Sequence, residues 1–160
     1  MYRPGNLSTG VTDRTTHSDL IGERLEAAAQ EAGDRSIVYH ESSVPPLGNE
    51  RDGRSKTVLI NRDLVPDAGD LLVDVVTYGP GVSVAEHSHE GTRHFFYVLS
   101  GEGVIEIESE QMPISEGTLA SFGEGDRHRL FAREGEGMRV LEYFSNDDHE
   151  VTFFEGERYT

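Results

Sequence analysis

Short apolar blocks recur along most of this chain at intervals of about 8–12 residues, and each is closed off by Gly, Pro, Asn or Asp. Blocks of that length are too short for packed helices, and the turn residues between them read as strand connections. Ser36–His40, Thr57–Ile60, Leu71–Tyr78, Val82–His89, Arg93–Leu99, Gly103–Glu108, Thr118–Phe122, His128–Ala132, Met138–Phe144 and Val151–Phe154 are the expected strands. Pro45–Ser55, with Pro45-Pro46, Gly48-Asn49 and Asp52-Gly53, reads as a loop. The pattern predicts an all-β sandwich or barrel. One helix breaks it. Ser18 can cap the segment Ser18–Ala32, where Ile21, Leu25, Ala28, Ala29 and Ala32 fall on one face before Gly33. That stripe is thin and Ala-rich, so we expect it on a surface or at a subunit interface. The 160 residues fit one domain: an N-terminal arm and helix over 1–35 and a β-barrel over 36–160.

Charge narrows the partners. Thirty acidic against 14 basic residues give a net charge of −16. Such a surface repels phosphate, which argues against nucleic acid and anionic membranes. It suits a metal or another cationic ligand. No apolar run approaches the roughly 18 residues that span a bilayer, and Met1–Gly5 lacks a charged-then-apolar signal pattern. The expectation is a cytoplasmic protein. Cysteine is absent, which removes disulfides, thiolate nucleophiles and Cys-ligated metal sites. Any metal must be held by His, Asp or Glu.

Four of the seven histidines, His87, His89, His94 and His128, fall in or beside expected strands. Two residues apart on a strand, His87 and His89 leave the same face. His94 shares a face with Phe96 and Val98, which would otherwise be apolar and inward. Burying several imidazoles together is costly without a shared partner, and a metal ion is the usual partner of neutral imidazole. By contrast, His17, His40 and His149 sit in polar, turn-rich surroundings and read as surface residues.

The glycines complete a pattern. Gly81 is followed after five residues by His87-Ser88-His89, after four more by His94, and after six more by Gly101; Gly117 is followed after five residues by Gly123-Glu124-Gly125 and after two more by His128. This spacing resembles the two sequence motifs of the cupin superfamily, and Tyr97–Gly103 is similar to the turn that follows the first motif. The resemblance covers Gly81 to Ala132. It implies a jelly-roll barrel and one divalent transition metal, Fe or Mn first, with Zn, Ni, Co or Cu also compatible, on His87, His89, His94 and His128. Three departures stand out. The family's usual Glu is His94 here, its usual Pro is Gly123, and its usual Asn is Ala132. An all-His set is neutral and leaves a bound ion its full charge, which suits an anionic, chelating substrate.

The resemblance implies a metal-dependent enzyme acting on a small oxygenated molecule. An Fe(II)/Mn(II) dioxygenase-type oxidoreductase leads. A redox-neutral isomerase, lyase or decarboxylase, or a non-catalytic metal- or ligand-binding module, is the alternative. Glu142 shares a strand face with Val140 and Phe144 and is the candidate acid or base. Phe96, Val98 and Arg62 are candidate pocket residues, with Lys56 a second basic anchor. Phe95 and Tyr97 alternate outward and suggest a homodimer. No Gly-x-Ser-x-Gly elbow, dinucleotide fingerprint or phosphate loop is present.

Overall fold

The computed structural model describes residues 37–49 and 53–154. The expected helix, the 1–35 arm and His17 lie outside the described residues. Within them the protein is an all-β jelly roll of ten strands, with two single 3-10 turns at Glu41–Ser43 and Pro66–Ala68 and no α-helix. The strands are β1 (Leu47–Asn49), β2 (Arg54–Ile60), β3 (Leu72–Tyr78), β4 (His87–Glu90), β5 (His94–Ile107), β6 (Glu110–Ser115), β7 (Leu119–Phe122), β8 (His128–Ala132), β9 (Met138–Phe144) and β10 (Glu150–Phe153).

Strand β5 organises the barrel. Its first half pairs with β9 on one side and β7 on the other, and its second half pairs with β8 and β6. One sheet therefore runs β1-β2-β3-β9-β5-β7, and the other runs β10-β4-β8-β5-β6. The two expected strands Arg93–Leu99 and Gly103–Glu108 are this one strand, whose register with β9 shifts between Val98 and Ser100. Gly101 permits the bend. Its φ is +83°, and a Cβ there would lie 2.2 Å from the Gly137 carbonyl oxygen, so any side chain would have to push a backbone away.

Alternation along the strands fills the space between the sheets. Val76, Val98 and Val140 stand in register across β3, β9 and β5, and they meet Ile105, Ile114 and Leu130 from the other sheet. Val98 and Val140 are fully buried. Each such side chain contributes about 1.5–3 kcal/mol by leaving water. On the outer face, Glu41 grips Arg139 with both carboxylate oxygens at 2.7 and 2.8 Å. Val44, Thr57 and Val75 are buried as well.

Several expected boundaries move. Residues 37–40 form no strand. The expected strand Val82–His89 is only His87–Glu90, joined upstream by an isolated bridge from Ser83 to Phe131. Strands β1 and β6 were not expected. In β6 only Ile114 is buried, so its sequence lacks the apolar alternation that marks a strand.

Candidate metal centre

Three strands bring the four imidazoles together. His87 and His89 lie on β4, His128 opens β8 directly opposite His87, and His94 opens β5 in the other sheet. Ring centroids are 4.4 Å apart for His87 and His128, 4.9 Å for His89 and His94, 5.0 Å for His87 and His89, 5.2 Å for His89 and His128, and 5.4 Å for His94 and His128. One ligand atom from each of His87, His89 and His128 falls within 4.8 Å of the other two. His94 stands beside that set.

Polar satisfaction shows what the cluster lacks. His87 Nδ1 contacts the Ala85 carbonyl at 2.8 Å, and His128 Nδ1 contacts the Asp126 carbonyl at 2.9 Å. A carbonyl can only accept, so each Nδ1 carries the proton and each Nε2 keeps a lone pair. His128 Nε2 and both ring nitrogens of His89 and His94 are buried with no hydrogen-bond partner. Buried orphan nitrogens of this kind cost free energy. A cation bound by one lone pair from each ring fits the acceptor nitrogens, so the residues present suit a divalent metal.

Burial and mutual repulsion keep the rings neutral. Burial, then the neighbouring His128 charge, lowers His87 to about 4. Burial, followed by His87 and His128, lowers His89 to about 2. His94 is pushed well below its usual range by burial and then His89, and His128 is lowered by burial. Neutral imidazole is the metal-binding form.

Aromatic rings hold these imidazoles in place. Phe122 stacks on His128 at 4.2 Å and on His94 at 5.0 Å. Phe144 stacks on His94 at 4.2 Å with planes 8° apart. The far side of this aromatic contact brings in His149, stacked on Phe144 at 4.5 Å and 5.0 Å from His89. The sequence placed His149 on the surface. Instead it is half-buried at the edge of the cluster, because Nδ1 meets the Asn146 carbonyl and folds the loop after β9 inward. His40 is exposed, as its surroundings suggested.

The inner face of β2, β3 and β9, in the same sheet as His94, carries charge. Lys56 Nζ of β2 lies 2.7 Å from Asp74 Oδ2 of β3, and Asp74 is fully buried. Glu142 of β9 faces Asp74 in the β3–β9 register and accepts a hydrogen bond from Tyr78 Oη at 3.1 Å. Lys56 Nζ also sits 5.6 Å from the centre of the Phe144 ring, so one phenyl group separates this wall from His94. Burial works against the Lys56 ammonium, but Asp74 and then Glu142 more than offset it and hold its pKa above the usual range.

The remaining candidates are placed elsewhere. Phe96 and Val98 are buried in the main core, with Phe96 6.5 Å from the His94 ring. Arg62 is at the surface rather than against the histidines, held by Asp70 at 2.7 Å and Asp147 at 2.9 Å. Phe95 is half-buried against Tyr143, while Tyr97, Leu119 and Tyr143 are exposed on adjacent strands. Sequence reading did not find Asp74, Tyr78, Phe122 or Phe144. Each reads as strand filler until the register is known.

Residues 74–144 match the family model described as a cupin domain. Over 114 residues the chain is 27% identical to the oxalate-binding protein of Thermotoga maritima, spanning 68% of this chain and 91% of that one. Over 117 residues it is 26% identical to the tetracenomycin polyketide synthase protein TcmJ of Streptomyces glaucescens, spanning 71% and 76%. Among solved structures, the polyketide cyclase RemF of Streptomyces resistomycificus superposes with a TM-score of 0.65 at 19% identity, over 78% of this chain and 89% of that one. No helix among the described residues is long and apolar enough to cross a membrane.

Proposed function

We propose that this chain, which belongs to the cupin superfamily, is a metal-dependent enzyme that binds a small, anionic, chelating oxygenated molecule and moves protons on it without net redox change. The observation that carries the metal is the set of buried imidazole nitrogens without partners on His89, His94 and His128. His87, His89, His94 and His128 would be the ligands. When bound, a divalent ion supplies Lewis acidity toward the substrate's oxygens, undiminished by any charged ligand.

The chain's own groups supply the rest. Lys56 sits beside the Phe144 ring that separates it from His94 and would attract the far end of an anion. Glu142 and Tyr78 form a hydrogen-bonded pair able to hold or pass a proton. Phe122 and Phe144 keep water from the rings they cover. The names of the relatives, oxalate-binding on one side and polyketide processing on the other, both suit chelating oxyanions.

A second reading, an Fe(II)- or Mn(II)-dependent dioxygenase, is favoured by one feature. Four neutral donors stabilise the divalent state that such an enzyme needs. Metal analysis of protein purified without chelator, followed by incubation with oxalate and a panel of 1,3-diketones in a dioxygen electrode, separates the readings. Conversion without dioxygen uptake is expected. Stoichiometric uptake would replace the first reading with the second, and tight binding without conversion would leave a binding module.

For assembly we propose a homodimer through the outer face carrying Tyr97, Leu119 and Tyr143, which are 42%, 65% and 38% exposed. Light scattering at micromolar concentration should give twice the chain mass. A monomer mass would overturn it.

A further inference from the structure

Two carboxylates face the barrel interior from directly paired positions. Asp74 and Glu142 are register partners across β3 and β9. Like charges set opposite each other on one sheet face repel, and here one of the two has no solvent exposure. Lys56 brings a single balancing charge, 2.7 Å from Asp74 Oδ2.

Asp74 and Glu142 stand opposite each other in the β3–β9 register, and while Lys56 Nζ meets Asp74 Oδ2, Asp74 Oδ1 is buried with no hydrogen-bond donor. Two ionised carboxylates cannot bond to each other, because both only accept. A hydrogen bond across the pair becomes available once one of them is protonated. We propose that Asp74 and Glu142 share a single proton, and that this carboxyl pair is the proton donor of the barrel's inner wall. Glu142 would meet the ligand, with Asp74 a positioning residue behind it.

The surroundings support this. Burial foremost, with Glu142 adding to it against the pull of Lys56, raises Asp74 to about 7. The groups facing the pair are Lys56 and Arg54 from β2, Tyr78 from β3, and His149 from the loop after β9. On β5 the register partner of Glu142 is Phe96, which brings no charge. Burial holds the Tyr78 phenol well above its usual range, so it stays a donor to Glu142. Half-buried Glu142 is the more accessible member of the pair.

The step balances. The carboxyl O–H bond breaks and its electron pair stays on the carboxylate. The proton forms a new C–H bond with the electron pair of a substrate carbanion or enolate. The pair goes from one negative charge to two beside the Lys56 ammonium. The role rests on the metal-dependent reading above, while the shared proton does not.

Carboxyl carbon NMR on metal-free protein tests the proton. One carboxyl should titrate near neutral pH, that signal should vanish in Asp74→Asn, and its midpoint should move toward acid in Glu142→Gln. Titration of every Asp and Glu in the ordinary carboxylate range overturns the pair, as does an unmoved midpoint in Glu142→Gln. Should Asp74→Asn not fold, the wild-type and Glu142→Gln titrations decide alone. Calorimetry with oxalate on metal-loaded protein, repeated in buffers of different ionisation enthalpy, tests the role. Wild type should take up protons on binding just above the midpoint, and Asp74→Asn should lose that uptake. No binding, or equal proton counts in both, overturns the role for small dianions and leaves the shared proton standing. Failure to bind metal instead overturns the metal-dependent reading.

Discussion

Two parts of the barrel's inner wall meet the same difficulty in opposite ways. On one, His87, His89, His94 and His128 bury ionisable rings by staying neutral, which leaves lone pairs unused. On the other, Asp74, Glu142 and Lys56 bury charge by pairing it. Phe144 lies between them, stacked on His94 and beneath Lys56. A neutral wall with unused lone pairs is ready for a cation. A paired wall with a movable proton is ready for a substrate that changes charge. The difference teaches that burial of polar groups marks a site in two ways, through what is missing and through what is balanced.

Breaking the neutral wall has the largest expected effect. His89→Ala removes a central imidazole, and metal affinity should fall well beyond the ~100-fold that loss of a merely orienting partner can cost. His94→Ala sharpens the assignment, since the close three-histidine set stays intact. A clear loss, smaller than that of His89→Ala, is expected if His94 is a fourth ligand. Competitive titration against a chromophoric chelator reads both, and unchanged affinity in His94→Ala would remove it from the ligand set.

Breaking the paired wall should act on the fold instead. Lys56→Met leaves Asp74 and Glu142 without their cation. Stranding a buried charge costs about 3–5 kcal/mol, and the partial exposure of Lys56, 33% for its side chain, puts the expectation near the lower end. The loss should be greatest above neutral pH and shrink in acid, where protonation of the pair relieves it. Urea unfolding at two pH values measures this. Equal losses at both would mean that Lys56 acts through packing alone.

The sequence revealed the first wall far better than the second. His87, His89, His94 and His128 are legible because strand alternation and glycine spacing tie them together locally. The boundaries of β8 and β9 follow from their apolar blocks in the same way. Asp74 is not legible. It interrupts the apolar run Leu71–Tyr78 as one polar residue, and its partners Lys56 and Glu142 come from separate strands. Only the β2–β3–β9 register makes them neighbours. His149 escaped for a related reason. A loop has no period, and a stacking contact with Phe144 decides where its ring goes.

The smallest expected effect sharpens the contrast most, because the walls carry opposite signs of proton linkage. In metal-free protein the histidines have folded values below their unfolded 6.5, with His87 near 4. The unfolded chain therefore binds more protons there, and their contribution to stability rises with pH up to about 6.5. Asp74 is the reverse, raised from 3.8 to about 7. Between those values the folded state holds the extra proton, so its contribution falls as pH rises through that window and levels off above it. In wild type the two partly cancel. Asp74→Asn removes the falling part alone, so between about pH 4 and 7 the stability of the variant should climb more steeply with pH. One proton amounts to about 1.4 kcal/mol per pH unit, which sets the upper bound on the change in slope. Urea midpoints measured across that window on metal-free protein give both slopes directly. Parallel curves for wild type and variant would mean that Asp74 is ionised throughout, and that both walls respond to acid through histidine alone.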